Sequence, residues 1–183
     1  MNYYFDMDGV LFTYHREAYV GDPPPFLVKG THHFRDLEPD RKILELIDTL
    51  HQKSRYTGDE IYILTSIMNN GAIFNEHFHD KIVSLAKWVP YIDIDHILIS
   101  VTSKRDAVEY IQNHNLTMND VLIDDYNKNL NDWKTAGGTA IKYCNGINSP
   151  GSFNGPRISY IQSVKGMIET LENEIIINEE KGE

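Results

Sequence analysis

The chain is short of cysteine, of positive charge and of long apolar runs, and each shortage removes a class of protein. Its one cysteine, Cys144, cannot close an intramolecular disulfide, so a disulfide-stapled fold is excluded and a reducing compartment is expected. Cys144 lies in TAIKYC with no activating neighbour and reads as a small apolar core residue rather than a nucleophile. Lys and Arg number 17 against 27 Asp and Glu, a formal charge of -10. That balance argues against a long nucleic-acid partner, which would need clustered cations. A small phosphorylated ligand stays compatible if a divalent metal supplies the local positive charge. No apolar run approaches the roughly 20 residues that cross a bilayer. No basic and apolar leader precedes the first apolar segment, so the chain is expected to be cytoplasmic, with no membrane partner. Internal repeats and low-complexity tracts are also lacking.

What is present suits one domain over 1–183: 183 residues, 41% hydrophobic and 24% charged, enough for a full core. Asn2 to Phe12 reads NYYFDMDGVLF, a β-prone run that stops on Asp6, Asp8 and Gly9. Residues 13–38 are irregular, and Pro23, Pro24 and Pro25 exclude helix or central strand there. A segment of that length predicts a small cap or lid after the first strand, with Tyr14, Tyr19, Phe26, His32, His33 and Phe34 available to a substrate. His32 and His33 read as loop surface rather than metal ligands, and Phe34 reads either as a base-stacking residue or as a cap anchor.

From Pro39, placed in a first turn, Ile43, Leu44, Ile47 and Leu50 recur at helical spacing. Ile61 to Leu64 predicts a second strand ending on Thr65 and Ser66. Phe74, Phe78, Ile82, Leu85 and Val89 predict an apolar helical stripe, followed by a third strand over His96 to Val101. A helix over Lys104 to His114 leads to a fourth strand, Val121 to Ile123, ending on Asp124 and Asp125. A short helix over Leu130 to Ala136 precedes a fifth strand, Thr139 to Tyr143. Ile161, Val164, Ile168, Leu171 and Ile175 mark a final amphipathic helix, with a charged tail from Glu179 expected to fray. Short apolar strands alternating with helices predict an α/β, Rossmann-like parallel sheet of about five strands, covered by helices on both faces.

In such a sheet the carboxyl ends of the strands share one edge. Asp6 and Asp8, Thr65 and Ser66, Lys104, and Asp124 and Asp125 then converge. Crowded carboxylates repel unless a cation compensates. Mg²⁺ suits oxygen ligands from Asp6, a backbone carbonyl near Asp8, and Asp124, while Lys104 adds a fixed positive charge. Taken singly, Thr65 and Ser66 also fit a strand-to-loop cap, Lys104 a solvated helix start, and Asp125 a turn former.

The four segments FDMDGVLF, ILTS, Lys104 and LIDD resemble the motifs of the haloacid dehalogenase superfamily of phosphotransferases. HHFRDLEP, LIDDYNKNLNDW and AGGTAIKYCNGIN are most similar to its 5'(3')-deoxyribonucleotidase branch. The resemblance implies Asp6 as nucleophile, forming an aspartyl-phosphate and ionised without a separate base, and Asp8 as general acid and then base. It implies Thr65 as a hydrogen-bond donor to the phosphoryl group, with Lys104 and Mg²⁺ neutralising its charge. Asp124, Asp125, Asp6 and Asp8 would hold the metal, Gly9 would permit the turn, and Ser66 and Phe34 would meet substrate. The expected activity is Mg²⁺-dependent dephosphorylation of nucleoside monophosphates. A phosphosugar phosphatase and a non-catalytic nucleotide-binding protein are the alternatives.

Overall fold

The computed structural model describes residues 1–71, 73–148 and 151–182, without the side chains of 175, 176 and 178–182. Its strands are β1 (Asn2–Phe5), β2 (Glu60–Ser66), β3 (Ile97–Ser100), β4 (Asp120–Asp124), β5 (Thr139–Cys144) and β6 (Arg157–Ser159). Its α-helices are α1 (Arg41–Thr57), α2 (Phe74–Trp88), α3 (Lys104–Ile111), α4 (Asn127–Thr135) and α5 (Val164–Gly182). The six strands form one parallel sheet in the order β3-β2-β1-β4-β5-β6. Five were expected. The sixth, Arg157–Ser159, is three residues long and too short to carry an alternating pattern of its own.

The aromatic run of β1 is buried at the centre, because both of its faces are covered. Tyr3 and Phe5 point to a core shared with α1, α2 and α5 through Ile43, Ile47, Leu85, Met167 and Leu171. Tyr4 points the other way, to Leu64, Leu98, Val108, Leu130 and Trp133 beneath α3 and α4. The single-residue alternation of a strand thus sends neighbouring aromatics to opposite layers.

Helix α1 starts two residues later than a turn led by Pro39 would place it. Asp40 is its N-cap, accepting from the backbone N–H of Lys42 at 3.0 Å and of Ile43 at 3.3 Å, and Gly58 closes it at φ 73°. Ser103 caps α3 in the same way through the Asp106 N–H at 3.1 Å, so Lys104 opens the helix at a fixed position. Ile161, expected on the last apolar stripe, stands before α5 and is exposed. The side chain of Ile175 on that stripe and those of the tail from Glu179 are not described. No helix among the described residues is long and apolar enough to cross a membrane.

The largest departure from the sequence pattern is α2. Phe78 of its expected stripe is exposed, and the buried face is His77, Asp80, Lys81, Ser84 and Leu85. Most of this face meets the irregular segment 13–38, whose backbone groups have no sheet ladder to join. His77 Nε2 donates to the Phe26 carbonyl at 2.9 Å, and Ser84 Oγ bonds the carbonyls of Phe34 and Arg35 at 2.9 and 3.0 Å. Glu76 accepts from the N–H groups of Gly30 at 2.7 Å and His32 at 3.2 Å. A face that must satisfy an irregular backbone is polar, whatever its depth.

Candidate active site

Strand order reverses at β1, which pairs with β2 on one side and β4 on the other. Ligands bind beyond the carboxyl ends of strands at such a switch point. Phe5 is in register with Ile123, so the next residues, Asp6 and Asp124, emerge side by side. Asp6, Asp124 and Asp125 offer carboxylate oxygens within 4.8 Å of one another, and all three are buried.

Lys104 bridges the first two. Its Nζ stands 2.6 Å from Asp6 Oδ1 and 2.6 Å from Asp124 Oδ2. Asp6 Oδ1 also accepts from the Met7 N–H at 2.7 Å. Asp124 accepts further from the Tyr126 N–H at 2.7 Å and from Asn129 Nδ2 at 2.9 Å. Asp125 Oδ2 receives Asn145 Nδ2 at 2.9 Å and the amide of Asn148. Asn145 Nδ2 also reaches the Gly9 carbonyl at 2.9 Å, tying the turn after β1 to Asp125. Gly9 sits at φ 86°, and a Cβ there would collide with the Asp125 carboxylate, so the tight turn requires glycine.

Burial pushes the Asp6 carboxyl well above the ordinary carboxylate range. Lys104 pulls it back, but Asp124, Asp8 and Asp125 add to the rise. Burial likewise pushes Asp125 up to about 6, with Asp124 adding to it. For Lys104, burial alone would lower the pKa, yet the charges of Asp124 and Asp6 outweigh it and raise the group. One ammonium among several carboxylates leaves a deficit of positive charge, and an all-oxygen donor set of this kind fits a hard divalent cation.

Asp8 is held differently. Lys81, fully buried on α2, pairs with Asp8 Oδ2 and donates to Thr65 Oγ1 at 2.7 Å. Its Nζ also lies 4.3 Å from the Phe34 ring centroid. Asp8 Oδ1 is buried with no hydrogen-bond partner among the described residues. Asp8 belongs to the same carboxylate-lined mouth as Asp6 and Asp125 but stands outside their three-acid cluster.

The cluster opens into a cavity of about 640 Å³. Asp6, Asp8 and Asp125 form its floor, and Tyr14, Tyr19, Phe26 and Phe34 of segment 13–38 contribute aromatic walls, joined by Ser66, His77 and Tyr126. Tyr19 stacks on Phe26 at 4.6 Å and leans on Tyr14 at 4.6 Å. The structure therefore brings Asp6, Asp8, Lys104, Asp124 and Asp125 together, and places Ser66 and Phe34 in the cavity wall. Phe34 is also part of the core, the position expected of a cap anchor. Thr65 has no exposed surface and lies behind Lys81.

Sequence reasoning missed Lys81, Asn145, Asn148 and Lys142. Lys142 Nζ donates to the Asp125 carbonyl at 2.7 Å and to Asn127 Oδ1 at 2.6 Å, fixing the loop that carries the acids. A lysine inside the apolar run TAIKYC was the available signal, because a buried lysine needs a polar partner.

No protein-family model and no curated protein sequence matches the chain. The structure is similar to that of a HAD-superfamily hydrolase from Ehrlichia chaffeensis, with a TM-score of 0.51 over 94% of this chain and 96% of that one, at 14% identity. At that identity the likeness is one of fold: the two share an α/β, Rossmann-like parallel sheet flanked by helices.

Proposed function

We propose that the chain is a Mg²⁺-dependent phosphomonoesterase of the haloacid dehalogenase type, acting on nucleoside monophosphates, with 5'(3')-deoxyribonucleotides foremost. The observation that carries this reading is the convergence of Asp6, Asp8 and Asp125 on an aromatic-walled cavity, with Lys104 joining Asp6 to Asp124 and Lys81 paired with Asp8. The shared fold of a HAD-superfamily hydrolase supports it.

Asp6 acts as the nucleophile. Its Oδ1 is engaged by the Met7 N–H and Lys104, which leaves Oδ2 to attack the phosphorus while the ester P–O bond breaks. Asp8 gives its proton to the departing alkoxide, then takes one from the water that attacks the aspartyl-phosphate and releases inorganic phosphate and the Asp6 carboxylate. Lys81 holds Asp8 in place through Oδ2. Asp6, Asp124 and Asp125 would hold the cation, with a carbonyl near Asp8 and Asp8 itself close by. Mg²⁺ bound there supplies the charge that lets a phosphate dianion approach the acids. Lys104 keeps Asp6 and Asp124 aligned between turnovers. The four aromatic side chains of the cap segment offer flat apolar surface for a base, and Ser66 a hydroxyl at the rim.

Purified protein incubated with nucleoside monophosphates and sugar phosphates is expected to release phosphate with Mg²⁺, most efficiently from deoxynucleotides. Undiminished release in excess EDTA would sink the metal-dependent mechanism. Sugar phosphates outperforming every nucleotide would move the substrate to the phosphosugar class.

A further inference from the structure

A second group of metal-ligating side chains lies away from the catalytic carboxylates, where segment 13–38 meets α2. His32 from the segment and Glu76 and Asp80 from α2 offer ligand atoms within 4.8 Å of one another. Glu76 and Asp80 are one helical turn apart and so share a face. His32 Nδ1 is 3.0 Å from Asp80 Oδ1.

Asp80 has no exposed surface, and its Oδ2 has no hydrogen-bond partner among the described residues. A carboxylate taken fully out of water requires compensation. Here it receives one imidazole nitrogen on one oxygen, with a second carboxylate nearby. His79 Nδ1, at 3.8 Å, is too far to complete the bonding. Glu76 is oriented by the N–H groups of Gly30 and His32, and each of its oxygens keeps a lone pair free. Hydrogen bonds of this kind commonly fix a ligating carboxylate.

We propose that His32, Glu76 and Asp80 form a second divalent-cation site that takes Zn²⁺ in preference to Mg²⁺ and clamps segment 13–38 to α2. One imidazole with two carboxylates is a mixed nitrogen and oxygen donor set, which suits Zn²⁺ with water completing the coordination. Mg²⁺ favours the all-oxygen cluster around Asp6 instead. The ligands come from both segment 13–38 and α2. Bound Zn²⁺ therefore ties the loop bearing His33 and Phe34 to the helix that sends Lys81 to Asp8.

The test is calorimetric titration of the chelator-treated full chain with ZnCl₂ in excess Mg²⁺, which keeps the carboxylate cluster filled. Wild type is expected to bind one Zn²⁺ per chain. His32→Ala and Glu76→Gln, both at half-buried positions, should each weaken binding about tenfold or more, and Asp124→Asn should retain it. No Zn²⁺ binding by wild type would overturn the proposal. So would binding that both His32→Ala and Glu76→Gln leave unchanged, or binding lost only in Asp124→Asn. The readout is binding, so it stands or falls independently of the phosphatase assignment.

Discussion

Strand β4 carries an aspartate at each end, Asp120 and Asp124, and both are fully buried. At the amino end, Asp120 is surrounded by donors. Asn2 Nδ2 reaches it at 2.8 Å, the Thr117 N–H and hydroxyl at 2.7 and 2.8 Å, and His114 Nε2 at 2.9 Å. Burial alone would raise its pKa, but these bonds outweigh burial and hold it below the usual value. At the carboxyl end, Asp124 stands among Asp6 and Asp125, where burial and like charge push the neighbouring carboxyls upward. One end is a finished structural knot. The other is short of positive charge, and that shortage is what a metal and a phosphate ester can use.

The sharpest way to break this comparison is to remove a carboxylate at each end and read activity and stability separately. Asp6→Asn is expected to lower kcat by at least about 10³-fold, or about 4 kcal/mol in transition-state stabilisation, while thermal unfolding shows a chain as stable as wild type. Retained turnover would remove Asp6 as nucleophile.

Asp120→Ala should do the reverse. Leaving several buried donors unpaired costs about 3 kcal/mol of folding stability, with turnover per folded molecule changed by less than about twofold at such a distance. Urea unfolding at several pH values adds a second check. The folded pKa of Asp120 lies below its unfolded value of about 4, so its contribution is complete above that value and is lost as pH falls through the folded one. The gap between wild type and variant is therefore expected to be widest near neutrality and to close in acid.

Lys81→Met tests the cation that belongs to neither end's acid cluster but holds Asp8. We expect roughly a 30-fold loss in kcat/KM, about 2 kcal/mol, from an Asp8 no longer fixed. An unchanged pH–rate profile together with unchanged kcat/KM would reduce Lys81 to packing.

The smallest effect concerns the charge deficit itself. Mg²⁺ at about ten times its Kd should stabilise wild type by about 1.4 kcal/mol, and Asp124→Asn by much less. Equal stabilisation of both would place the cation elsewhere.

Much of the carboxyl-edge cluster was legible because its residues follow short apolar runs: Asp6 after NYYF, Thr65 after IYIL, Asp124 after VLI. A parallel sheet brings strand ends together whatever the loops do. The knot around Asp120 was not legible, since Asn2, Thr117 and His114 are separate loop and terminal residues that carry no shared period. Helix α2 was misread for a related reason. Hydrophobic periodicity marks the buried face only where the neighbour is apolar, and here the neighbour is an irregular segment full of unpaired backbone groups. Nothing in that periodicity marks Lys81, between Asp80 and Ile82, as buried.

By itself the sequence determined the alternation of strands and helices, the aspartates that end β1 and β4, and the turn at Gly9, because each rests on local pattern or local sterics. Tertiary structure alone decided that β6 joins the sheet and that Lys81 and Lys142 turn inward. It also decided that burial among like charges, rather than composition, makes Asp6 and Asp125 reluctant to ionise. Such properties arise from groups far apart in the chain being held together out of water, where the dielectric screening that silences them in solution is gone.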